Sequence, residues 1–151
     1  MNDWLEQVSE DSLLNELPSS LAETIRAMDS TGINLDTIGQ ILSNNPSAGL
    51  VAKGGTGWPS NLWQLTKEEI SKILCTDDPK YTSLRSDLNK QTNVTSEVIL
   101  AIISSAVTSK LGLEIGLLTP FVILVLMTVL RAGKEAWCVQ HANAPLQVGK
   151  P

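Results

Sequence analysis

Apolar residues recur along the first third of the chain at the spacing of a helical stripe. Leu21, Ile25 and Met28 form one set, and Ile38, Ile41 and Leu42 form another. Each set falls on one face of a 3.6-residue helix. Pro18, Thr31-Gly32 and Asn44-Asn45-Pro46 punctuate these segments and predict where the short helices stop. A first short helix is predicted over Ser12–Leu17 on the same grounds.

Residues 46–65 break the pattern. Pro46, Gly49, Gly54, Gly55, Gly57 and Pro59 predict a loop, held to a neighbour by the large rings of Trp58 and Trp63. Periodicity then resumes. Thr66 and Glu69 have the spacing of a capping box ahead of Ile70, Ile73 and Leu74, with the end of that helix expected near Cys75. Asp78-Pro79 is a second start signal, Asp as N-cap and Pro at the first helical position. Tyr81, Leu84 and Leu88 would be the buried face of the helix that follows. Lys80, Arg85, Asp87 and Lys90 would be its solvated face.

From Val98 the alternation of polar and apolar faces gives way to apolar residues on all sides. Asn93 or Thr95 is the predicted cap, and Lys110-Leu111-Gly112 a glycine stop. A second apolar helix is expected from Thr119-Pro120 through Leu130 and on to Cys138. β-branched residues are common in 121–129, but the run exceeds the usual strand of about 5–6 residues. The two apolar helices are close in sequence and should pack as a hairpin. The predicted fold is all-α: a small helical bundle around a central apolar antiparallel hairpin. The predicted organisation is an acidic helical module over 1–45, a Gly/Pro/Trp loop over 46–65, a helical domain over 66–141 with its hairpin at 96–138, and a flexible tail over 142–151.

The hairpin raises the question of lipid. Leu111–Leu130 contains one charged residue, Glu114, and is flanked by Lys110, Arg131 and Lys134, as at a bilayer interface. Gly112, Gly116 and Pro120 divide the run, however. The 11 uncharged residues from Pro120 to Leu130 would reach roughly 16 Å as helix, about half of a bilayer core. A core covered by the amphipathic helices of 12–90 is therefore the leading expectation, with a membrane-associated or membrane-inserting hairpin over 98–130 as the alternative. Ile99, Ile103, Leu113, Phe121, Leu124, Leu126 and Leu130 are its characteristic residues in either case. Glu114 is read as a turn residue.

Composition adjusts this picture little. Hydrophobic residues make up 42% of 151 and charged residues 18%, enough apolar content to exclude bulk disorder. The net charge is −5 and concentrated at the start. Asp3, Glu6, Glu10, Asp11, Glu16, Glu23, Asp29 and Asp36 face one base, Arg26, in the first 40 residues. That balance opposes nucleic-acid binding and suits either a basic protein partner or solubility. No signal peptide is visible at the first residues, so the cytoplasm is the expected location, with the cytoplasmic membrane as the alternative and Cys75 and Cys138 expected as reduced thiols.

Candidate chemistry is thin. Cys138 and His141 have half the ligands of a zinc site, and with Cys75 the set still lacks a fourth. The same residues make a poor nucleophile–base couple, without an orienting third group. Lys53-Gly54-Gly55-Thr56-Gly57 inverts the P-loop order. No catalytic residue, metal or cofactor is assigned, and no small-molecule ligand is indicated. The expected function is a non-catalytic interaction or adaptor subunit in a larger bacterial complex, meeting a protein partner through Trp4, Trp58, Trp63 and Trp137. The alternative is an effector that uses the hairpin on membranes.

Overall fold

A computed structural model describes residues 3–44, 62–90, 95–112 and 115–140. Among them the chain is helical, and no strand occurs. The elements are α1 (Asp3–Glu6), α2 (Glu10–Leu14), α3 (Ser19–Ser30), α4 (Leu35–Asn44) and α5 (Leu62–Cys75). A 3-10 turn (Pro79–Tyr81) leads into α6 (Thr82–Asn89), followed by α7 (Ser96–Leu111), α8 (Ile115–Ala132) and α9 (Lys134–Cys138). The all-α expectation holds.

α8 is the axis of the fold. It packs against α2, α4, α5, α7 and α9. Leu118, every residue from Phe121 to Met127, and Val129 are no more than 1% exposed. A helix apolar on every face has to be surrounded, and the amphipathic helices supply the surround. Their buried stripes (Leu21 and Ile25 on α3, Ile38 and Leu42 on α4, Ile70 and Ile73 on α5) join α8 in one core running from Trp4 to Cys138. Of the residues assigned to the hairpin, Ile99, Ile103, Phe121, Leu124 and Leu126 are fully buried and Leu130 is partly so. Leu113 and Glu114 lie outside the described residues.

Local signals account for several helix ends. Thr95 caps α7 by accepting from the Val98 amide at 3.2 Å. Gly112 closes α7 in the left-handed region, at φ 72°, where a Cβ is penalised. Asp78 accepts from the Lys80 amide at 3.0 Å, with Pro79 behind it.

Several boundaries differ from expectation: the helix expected to run on to Cys138 breaks at Gly133 (φ 90°) into α8 and α9, and the helix expected at Asp78-Pro79 begins at Thr82 after a 3-10 turn. α2 starts at Glu10, because Ser9 and Ser12 exchange side-chain-to-amide hydrogen bonds in a capping box. α5 starts by Leu62, so residues 62–65 are helix rather than loop. Thr66 is inside that helix and donates to the Leu62 carbonyl at 2.8 Å instead of capping. α8 contains Gly116 and Pro120. Proline there forfeits one hydrogen bond in the second turn, which the burial of the apolar residues around it outweighs. The 18 residues of α8 reach about 27 Å. No helix among the described residues is long and apolar enough to cross a membrane.

The cysteines also depart from expectation. Cys75 and Cys138 form a disulfide, with Cα atoms 5.6 Å apart. Their separation of 63 residues hid the pairing, since only the fold brings the ends of α5 and α9 together. Beside the bond, Arg85 caps the end of α5. Its guanidinium donates to the carbonyls of Lys72 (2.7 Å) and Ile73 (2.9 Å), groups that a helix C-terminus leaves without intrahelical partners, and to that of Asp78 (3.1 Å) at the start of the 3-10 turn.

Candidate functional site

The first turn of α4 fixes one wall of a groove. Asn34 caps the helix through the Thr37 amide at 2.8 Å, which sets Asp36 on the first turn. α5 brings Trp63 and Lys67, one turn apart, to the same carboxylate. Asp36 Oδ1 accepts from Trp63 Nε1 at 2.7 Å and from Lys67 Nζ at 2.6 Å. Its Oδ2 accepts from Gln40 at 2.8 Å. The Lys67 ammonium stands 5.3 Å from the Trp63 ring centroid, within cation–π range.

Trp63 is held from three other sides. Its amide donates to Ser43 Oγ at 3.2 Å, its ring meets Phe121 at 6.4 Å between centroids, and its face lies on Gly39. A Cβ at position 39 would come within 2.3 Å of that ring. Gly39→Ala therefore sets a helix-propensity gain of about 1 kcal/mol against the displacement of a rigid indole in a packed core, which costs roughly 1–3 kcal/mol. Alanine should raise stability in a solvent-facing helix and lower it here. Chemical denaturation of Gly39→Ala checks this, and a variant as stable as the parent would show that Trp63 moves freely.

The groove itself holds about 490 Å³ and runs between α4, α5, the end of α8, and α9. Leu35, Trp63, Val125 and Trp137 supply its apolar lining, with Asp36 and Lys67 in one wall and Arg131 and Ala132 in another. A second cavity of about 430 Å³ lies on α1 and the α8–α9 junction, at Leu5, Val129, Gly133 and Lys134.

Two charge clusters brace the surrounding helices. Arg131 reaches Glu10 on α2 and Asp29 on α3, each through two oxygens, at 2.7–3.1 Å. Hydrogen bonding to Arg131 holds the Asp29 carboxyl below its ordinary range. Glu69, with a side chain only 10% exposed, accepts from Tyr81 Oη at 2.6 Å. Lys80 and Lys72 lie 3.1 and 3.2 Å from its oxygens. Burial pushes the Glu69 pKa up, but the hydrogen bonds from Tyr81, Lys80 and Lys72 prevail and leave it lowered. Burial, then the carboxylate acceptor, raise the Tyr81 phenol. The two shifts diverge from neutrality, so Glu69 stays ionised and Tyr81 stays protonated. A proton-transfer pair needs values near the working pH, and this pair is a cross-link between α5 and the 3-10 turn.

The sequence reading placed partner contacts on four tryptophans. The structure buries three of them: Trp4 at 2%, Trp63 at 3% and Trp137 at 0% exposure. Trp63 and Trp137 come together as backing of the groove, Trp4 sits apart on α1, and Trp58 lies outside the described residues. His141 and the Gly54–Gly57 segment do as well. Cys138 is bonded to Cys75, so neither sulfur is a thiolate in this state. Among the described residues no group of three or more His, Cys, Asp or Glu side chains could hold a metal ion. Asp36, Lys67 and Gly39 escaped the sequence reading. Their only signal there was the four-residue spacing of Trp63 and Lys67, which is common on helices. No family model, curated protein or solved structure matches this chain.

Proposed function

We propose that the protein is a non-catalytic interaction module that receives an apolar side chain of a protein partner in the groove between α4, α5, α8 and α9. The groove carries this reading. It has the volume of a ligand pocket and apolar backing, and the charged groups of its walls already satisfy one another. Asp36 and Lys67 are paired, and Arg131 is engaged by two carboxylates. Such walls orient an incoming segment and supply no nucleophile. The acidic residues beside Arg131, with exposed Glu16 and Glu23 on the same N-terminal region, favour a partner whose anchor is flanked by basic residues.

Ala132 is exposed at the mouth of the groove, so Ala132→Trp should fill it without disturbing the core. Selection from a random peptide library is expected to enrich peptides with a large apolar residue on the parent protein and to lose them on Ala132→Trp. A matching substitution on the far helix, Ser105→Trp, should leave them unchanged. Equal enrichment on all three proteins, or none on any, would remove the groove from consideration.

A further inference from the structure

We propose that the Cys75–Cys138 disulfide is a redox latch that holds α9 over the groove. α9 has five residues, too few to persist as helix without tertiary support. One residue, Gly133, separates it from α8, and its φ of 90° makes it a hinge that other residues adopt poorly. Beyond that hinge, among the described residues, α9 packs on α5 and α8 through buried Trp137 and Cys138, and the bond from Cys138 ties it to the end of α5. The junction is bordered by open volume on both sides. The groove reaches Ala132 and Trp137, and the second cavity reaches Gly133, Lys134 and Glu135. The α5 anchor is braced by contrast: Arg85 clamps two carbonyls of its last turn and ties them to the Asp78 carbonyl of the 3-10 turn. The bond therefore joins a fixed post to a movable flap.

Opening needs an external dithiol. One of its thiolates attacks a sulfur of the bond and forms a mixed disulfide. Its second thiol displaces that sulfur, leaving Cys75 and Cys138 as thiols and the reductant as a disulfide, a transfer of two electrons and two protons. α9 then turns about Gly133 and lifts Trp137 from between α5 and α8, which enlarges the groove. In reducing surroundings the flap is open, and in oxidising surroundings it is shut. The inference does not depend on what the groove binds.

Hydrogen exchange read by mass spectrometry tests it, with dithiothreitol-treated parent and Cys75→Ser/Cys138→Ser compared against the oxidised protein. In both, the amides of 137–139, which bond within α9, are expected to exchange fully at the shortest labelling time, while those of α3, α7 and α8 stay protected. Treatment with oxidised glutathione should restore α9 protection in the parent and not in the double variant. If α9 stays protected after reduction, packing alone holds it and there is no latch. If α3, α7 and α8 also exchange fully at that labelling time, the bond is a staple of the whole fold and the proposal fails.

Discussion

Cys75→Ser/Cys138→Ser should melt roughly 10 °C below the oxidised parent, and the parent in reductant should melt with it. The bond closes a loop of 63 residues. In the chain-entropy account, a loop of that length restricts the unfolded state by about 4 kcal/mol, within an observed span of roughly 2–5 kcal/mol. For a chain of this size each kcal/mol moves the midpoint by about 2–4 °C. Scanning calorimetry with and without reductant reads the effect directly. A double variant that melts with the oxidised parent would mean that the ends of α5 and α9 already meet in the unfolded chain. The loss should leave the protein folded at room temperature, because α8 keeps its contacts with α2, α4, α5 and α7 when α9 is freed.

Phe121→Ala should cost about 3–5 kcal/mol, the range for truncating a fully buried aromatic ring. Phe121 is the single phenylalanine of the chain and is wholly buried. It sits on α8 against the ring of Trp63. Alanine at this point leaves a void between the central helix and Trp63, which ties α4 to α5. Helices wedged around a common axis cannot all move inward to fill it, which favours the upper part of that range. Against the 5–15 kcal/mol of a typical domain, such a loss leaves a marginal protein. Urea denaturation of Phe121→Ala, with Phe121→Leu as the milder change, gives the comparison. A cost below about 1 kcal/mol for alanine would mean that α8 shifts toward α5 and closes the gap.

The sequence revealed these helices where local chemistry decides them. Thr95, Asp78 and Gly112 act within one turn of their own position, and each performs the role its identity suggests. The apolar stripes of α3 and α4 are equally local, apart from Ile41, which turns partly outward. The failures are cases in which a distant partner decides. Thr66 and Glu69 have capping-box spacing, yet Glu69 is claimed by Tyr81 and the lysines, and Thr66 bonds back to Leu62. Trp63 looks like a loop residue beside a glycine-rich stretch until Gly39, from another helix, provides the flat surface it packs on. Pro120 signals a break, but the core formed around α8 overrides it. Large tryptophans announce buried area without saying whether a partner or this chain buries them. Here the chain itself buries Trp4, Trp63 and Trp137. The groove was illegible because its walls come from four separated helices.

The central place of α8 bears on the order in which the protein can be made. α2 ends at Leu14 and α8 begins at Ile115, so roughly 100 residues emerge between them, on the order of 5–20 s of synthesis at ordinary translation rates. During that interval the apolar stripes of α2, then α4, then α5 appear without the helix they enclose. The nascent chain has amphipathic helices facing an absent axis, the condition in which chaperones engage and aggregation begins. Folding of this protein is thus gated by the emergence of α8 from the ribosome, and a premature stop before α8 would release a coat with nothing to wrap.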